Sequence, residues 1–152
     1  MDRLDKKILY WLQRDAGLSL ADLADKVGLS TTPCWRRVQQ LEKAGVIERR
    51  VALVDPQKIN LGVTVFVRLR TSRHDADWLA GFAKAIETIP EIVEVFRLSG
   101  DVDYLLRILV PDIAGYDRVY KRLIEAASFI DVSANFSMEC VKRTTALPLD
   151  YA

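Results

Sequence analysis

The chain has 152 residues, 50% hydrophobic and 28% charged, with a formal net charge of +1. That is the profile of an ordinary globular protein of one domain or two small ones, and no apolar run approaches the ~20 residues of a membrane helix. Residues 1–60 carry 11 Lys and Arg against 8 Asp and Glu, and residues 61–152 carry 11 against 13, so a DNA-facing first half is allowed, although phosphate contact needs clustered cations.

Residues 1–7 are charged and run straight into an amphipathic pattern, so no signal peptide is expected. Leu4, Ile8, Leu9 and Leu12 recur at helical spacing, and Gly17 is expected to end that helix. Ser19 is the expected N-cap of a second helix, with Asp22 near its positive end and an apolar stripe of Leu20, Leu23, Ala24 and Val27. Gly28 stops it. Ser30 then caps a third helix with Pro33 in its first turn, Cys34, Val38 and Leu41 inward, and an end at Ala44-Gly45. Beyond Gly45, Ile47, Val51 and Leu53, with Glu48, Arg49 and Arg50 between them, suggest a two-stranded wing that Asp55-Pro56 breaks.

The second half alternates patterns. Val63, Val65, Val67 and Leu69 read as a strand, and Trp78, Leu79, Phe82, Ala83 and Ile86 as a helix ending before Pro90. Residues 92–98 and 104–110 form a hairpin across Ser99-Gly100-Asp101-Val102-Asp103. Ile113, Tyr116, Val119, Tyr120, Leu123 and Ile124 make a second helix, and residues 131–141 a last strand. The fold class is α+β: a winged helix-turn-helix over 1–55, a linker over 56–62, and a ferredoxin-like βαββαβ domain over 63–152. Phe66, Leu105 and Leu109 lie on the open sheet face, which calls for a dimer partner.

A short helix, a tight glycine turn and a longer helix place the third helix in a major groove. Its outward residues are Thr31, Thr32, Arg36, Arg37 and Gln40, with Ser30 at its start. Arg suits guanine edges or phosphate, Gln adenine, and Thr phosphate or a thymine methyl. Arg49 and Arg50 in the wing are placed for the DNA backbone. Trp35 either packs on the first helix or sits near the DNA backbone. Cys34 reads as a small buried hydrophobe, and His74, the only histidine, as a surface residue. Cys34 and Cys140 lack metal-ligand spacing, which favours a reducing cytoplasm and no metal or cofactor.

A series of segments runs the length of the chain: Leu4-Asp5-Lys6-Lys7-Ile8-Leu9, Val27-Gly28-Leu29-Ser30, Pro33-Cys34-Trp35-Arg36-Arg37-Val38 and Leu41-Glu42-Lys43-Ala44-Gly45-Val46-Ile47, then Asp55-Pro56, Gly100-Asp101-Val102-Asp103-Tyr104-Leu105-Leu106 and Val141-Lys142-Arg143-Thr144-Thr145-Ala146-Leu147-Pro148-Leu149. Together they resemble the Lrp/AsnC (feast/famine) family of transcriptional regulators. The resemblance implies a non-enzymatic regulator that binds duplex DNA and an amino acid or related metabolite, and assembles from homodimers to a tetramer or octamer. It places the effector near Ser99, Gly100, Asp101, Val102, Asp103 and Tyr104, where Gly100 brings the backbone close and an aspartate offers a partner for an ammonium group. Ser133 and Asn135 of the last strand join that set, while Ala134 departs from the family's hydroxyl residues. On the residues alone, a plain hairpin whose aspartates bond their own backbone is the alternative. A chromatin-like architectural protein is the competing function; an enzyme is disfavoured by the single histidine and the lack of a nucleophile–base pair.

Overall fold

The computed structural model describes residues 1–152 as two compact units, one of Met1–Leu53 with Val141–Ala152, the other Val54–Cys140. The first is helical. Helix α1 (Arg3–Leu12) opens on a reciprocal capping box: the Asp2 carboxylate accepts from the Leu4 and Asp5 backbones, and the Asp5 carboxylate accepts from the Asp2 backbone. It ends earlier than Gly17, because the Asp15 carboxylate accepts from the Gly17 N–H and closes a local turn instead. Helix α2 (Leu20–Val27) starts at Ser19, whose hydroxyl accepts from the Asp22 N–H, and stops at Gly28 with φ +77°. Helix α3 (Thr31–Lys43) follows, and Gly45 at φ +70° turns the chain out of it.

Ile8, Leu9, Leu23, Ala24, Val27, Cys34, Val38 and Leu41 form one buried cluster among the three helices. Each fully buried aliphatic side chain there contributes about 1.5–3 kcal/mol. Burial pushes the Cys34 thiol up from its ordinary value, as a packing cysteine requires.

The expected two-stranded wing is absent: residues 46–55 form no ladder, and Val51, Leu53 and Val54 are exposed. The reason lies between Ile47 and Leu53, where no Gly, Asn, Asp or Pro is present to reverse the chain into a hairpin. Asp55 instead caps a 3-10 turn over Pro56–Ile59, which closes on Asn60 at φ +67°.

The second unit is a four-stranded antiparallel sheet, β1 (Val63–Arg70), β2 (Ile92–Arg97), β3 (Tyr104–Val110) and β4 (Asp131–Phe136), in the order β2-β3-β1-β4. Helices α4 (Ala76–Glu87) and α5 (Ile113–Ala126) connect them, completing the βαββαβ arrangement. Val65, Val67, Leu69, Leu106, Ile108 and Val110 face the helices and pack with Trp78, Phe82, Val119 and Leu123. On the other face, strand alternation and register place Phe66, Arg68, Phe96, Leu105, Arg107 and Leu109. Phe66 is 37% and Phe96 50% exposed there, so the expected apolar open face is present.

Strand β4 stops at Phe136, short of the expected 141. Phe136 already pairs with Val65 and Ser137 donates to the Thr64 carbonyl, so almost no β1 remains to pair with. The chain then leaves the sheet, and Val141–Ala152, assigned from sequence to the second domain, packs in the first unit. There Leu149 lies against the helical core and Thr145 donates its hydroxyl to the Gln13 carbonyl at 2.7 Å.

Candidate nucleic-acid interface and effector loop

Helices α2 and α3 are joined by three residues. Gly28 takes the left-handed conformation and the Leu29 N–H returns to the Ala24 carbonyl at 2.9 Å. The Ser30 hydroxyl makes no cap bond, and the first turn of α3 carries no acidic residue. The helix therefore keeps its positive N-terminal end and a free hydroxyl at the surface, the arrangement that receives phosphate at helix starts. Thr31, Thr32, Arg36 and Gln40 are exposed along α3. Arg36 and Arg49 are exposed and form no ion pair within the chain.

The other two arginines are engaged. The Arg37 Nη1 lies 2.6 Å from Asp2 Oδ2 and 2.7 Å from Asp5 Oδ1, with its side chain 28% exposed. Those carboxylates hold its guanidinium still more firmly protonated, Asp5 acting most strongly. The Asp2 carboxyl is in turn held below the usual carboxylate range by the Asp5 backbone N–H first and by Arg37 second. Arg50 reaches back to Glu42 at 2.9 Å, and Gln39 donates to the same carboxylate at 2.8 Å. Trp35 is 51% exposed and lines a shallow concavity with Leu12, Leu18, Leu20, Leu23 and Val38, so it is not packed away. Sequence reasoning missed Asp2 and Asp5 as partners of α3; an acidic pair three residues apart at a helix start was the available signal.

In the second unit, the loop between β2 and β3 contains Gly100 at φ +122°, a conformation that side chains other than glycine rarely adopt. Ser99 and Asp101 are exposed, and Val102 is half-buried. Asp103 is tied down: its carboxylate accepts from the Thr71 backbone at 2.7 Å, its N–H donates to the Leu69 carbonyl, and His74 Nε2 stands 3.9 Å away. Tyr104, expected at the effector, is only 5% exposed and belongs to an aromatic cluster with Trp78, Phe82 and Phe129. Strand alternation turns it to the helix side of the sheet. Ser133 donates to the Asp131 carboxylate at 2.7 Å. Ser133 pairs with Arg68 and Asn135 with Phe66, which puts both on the open sheet face rather than in the loop.

Two family models match the chain: a winged helix-turn-helix DNA-binding model over residues 1–48 and the Lrp/AsnC ligand binding domain over residues 64–147. A glutamate uptake regulatory protein of Zymomonas mobilis is 51% identical, the match covering 98% of this chain and 91% of the relative. The DNA-binding transcriptional activator DecR of Escherichia coli K12 is 43% identical over 99% of each chain. Among solved structures, an AsnC family transcriptional regulator from Agrobacterium tumefaciens superposes with a TM-score of 0.95 at 61% identity over 99% of each chain. A transcriptional regulator from Neisseria meningitidis in complex with L-Met superposes with a TM-score of 0.94 at 35% identity, covering 99% of this chain and 98% of that one.

Proposed function

Because the chain belongs to the Lrp/AsnC family of DNA-binding transcriptional regulators, we propose that it reads a near-palindromic operator as a homodimer or larger assembly and responds to an amino acid or related metabolite. It is a non-enzymatic regulator with a ligand-binding domain. The observation that carries the operator reading is α3 itself, with an uncapped, acid-free start at Ser30 and an unpaired Arg36 on its exposed face. Ser30, Thr31 and Thr32 take phosphate or a thymine methyl, Arg36 and Gln40 take base edges, and Arg49 takes the backbone.

The apolar open face carrying Phe66, Phe96, Leu105 and Leu109 supports pairing of two copies, and two copies present two α3 helices to a two-fold site. The effector loop is assigned to Ser99, Gly100 and Asp101, where exposed backbone meets a free carboxylate suited to an amino acid's two charged groups. Such a regulator works in the cytoplasm. The internal bonding of Asp103 favours a second reading, an architectural DNA-binding protein with little ligand control.

The test is binding of the purified chain to its own upstream region and to random duplex, with and without each amino acid. L-Met and L-Glu come first in that panel. A salt-sensitive preference shifted by one ligand supports the regulator; duplex binding that no ligand moves supports the architectural reading; no binding to either duplex overturns both.

A further inference from the structure

Arg36 and Arg37 are adjacent in α3 yet about 100° apart around its axis, and only Arg37 turns toward the start of α1. The network it enters is closed. Of the four carboxylate oxygens, Asp2 Oδ1 and Asp5 Oδ2 cap α1, while Asp2 Oδ2 and Asp5 Oδ1 both hold Arg37 Nη1. The same two aspartates thus start one helix and anchor the middle of another. We propose that Arg37 is a positioning residue for DNA reading: clamped by Asp2 and Asp5, it fixes the rotation of α3 against α1. Thr32, Arg36 and Gln40 then meet the groove at one angle. This rests on α3 being the reading helix.

Charge alone predicts the opposite of this geometry. Two carboxylates beside a DNA-facing helix repel phosphate, so their removal should tighten binding to any duplex. A clamp predicts that the same removal weakens discrimination, because base contacts depend on the helix angle whereas phosphate attraction tolerates its loss.

The experiment uses the full chain and measures affinity for upstream and random duplexes across a salt series. Asp2→Asn with Asp5→Asn removes both charges and keeps amide oxygens for the cap, since Asn caps as well as Asp. The upstream-to-random ratio is expected to fall several-fold while random binding holds or tightens. Arg37→Ala is expected to lower the ratio and leave the salt slope unchanged, Arg37→Lys to recover part of the ratio, and Arg49→Ala, at the residue assigned to the DNA backbone, to reduce the slope by about one. A slope reduced by about one in Arg37→Ala, or a ratio unchanged in the Asn pair, overturns the clamp. Absence of any preference in the unaltered chain overturns the operator reading instead. Circular dichroism checks folding, and if the Asn pair unfolds α1 the two Arg37 variants decide the question.

Discussion

Gln13 and Leu147 hold each other in both directions: the Leu147 N–H donates to Gln13 Oε1 at 2.7 Å, and Gln13 Nε2 donates to the Leu147 carbonyl at 3.3 Å. One amide side chain thereby satisfies a peptide unit of segment 141–152 much as a neighbouring strand does. Gln13→Ala is expected to cost about 1–2 kcal/mol and to speed proteolytic cleavage within 141–152. Thermal melting and timed proteolysis check both, and unchanged cleavage would show that Leu149 and the Thr145 bond to the residue 13 carbonyl seat the segment without the amide.

Unpaired and paired arginines are expected to behave differently on DNA. Arg49→Ala should weaken binding to all duplexes evenly and lower the salt slope by about one. Arg50→Ala should change the slope less, because its guanidinium already faces Glu42. Titrations at several salt concentrations separate the two.

Tyr104 tests whether the start of β3 belongs to the core or to the effector. Its hydroxyl makes no hydrogen bond within the chain, and its ring packs 5.0 Å from Phe82 between ring centres. Tyr104→Phe is expected to leave both stability and ligand response nearly unchanged, whereas Tyr104→Ala should cost about 3–5 kcal/mol. Denaturant unfolding of both variants gives the answer, and a lost ligand response in Tyr104→Phe would return this residue to the effector site.

Acid should loosen two helix starts. Asp2 is held low by the Asp5 N–H and then Arg37, and Asp75 by Arg73 and then the Trp78 N–H. A depressed folded-state value means that stabilisation is full above the unfolded value of about 3.9 and disappears as pH falls through the lower folded one. Helical signal is therefore expected to fall more steeply below about pH 4 in the unaltered chain than in Asp75→Asn, which cannot titrate there. Identical acid profiles would remove Asp75 from the account.

The elements that were legible in sequence are those with strong periodicity or a single decisive residue. The β1 alternation appears as expected, and Gly28 ends α2 where expected, in a left-handed turn. Local pattern failed where a partner decides the outcome. Extended residues after Gly45 look like a strand, but nothing in the chain pairs with them. Residues 137–141 continue a β-rich run, but β1 ends first. In the site the same division holds. Helical spacing placed Thr31, Thr32, Arg36 and Gln40 outside, whereas the engagement of Arg37 depends on carboxylates more than thirty residues away, which no local spacing records.

The return of residues 141–152 to the helical unit makes that unit discontinuous along the chain. Synthesis runs from the amino end, so helices α1 to α3 leave the ribosome long before Thr145, Leu147 and Leu149, with the whole of Val54–Cys140 made in between. Early domains ordinarily fold as they emerge. Here the DNA-reading unit acquires its last contacts only after the ligand-binding unit has been translated, so a message truncated in that stretch yields helices whose Gln13 has nothing to hold.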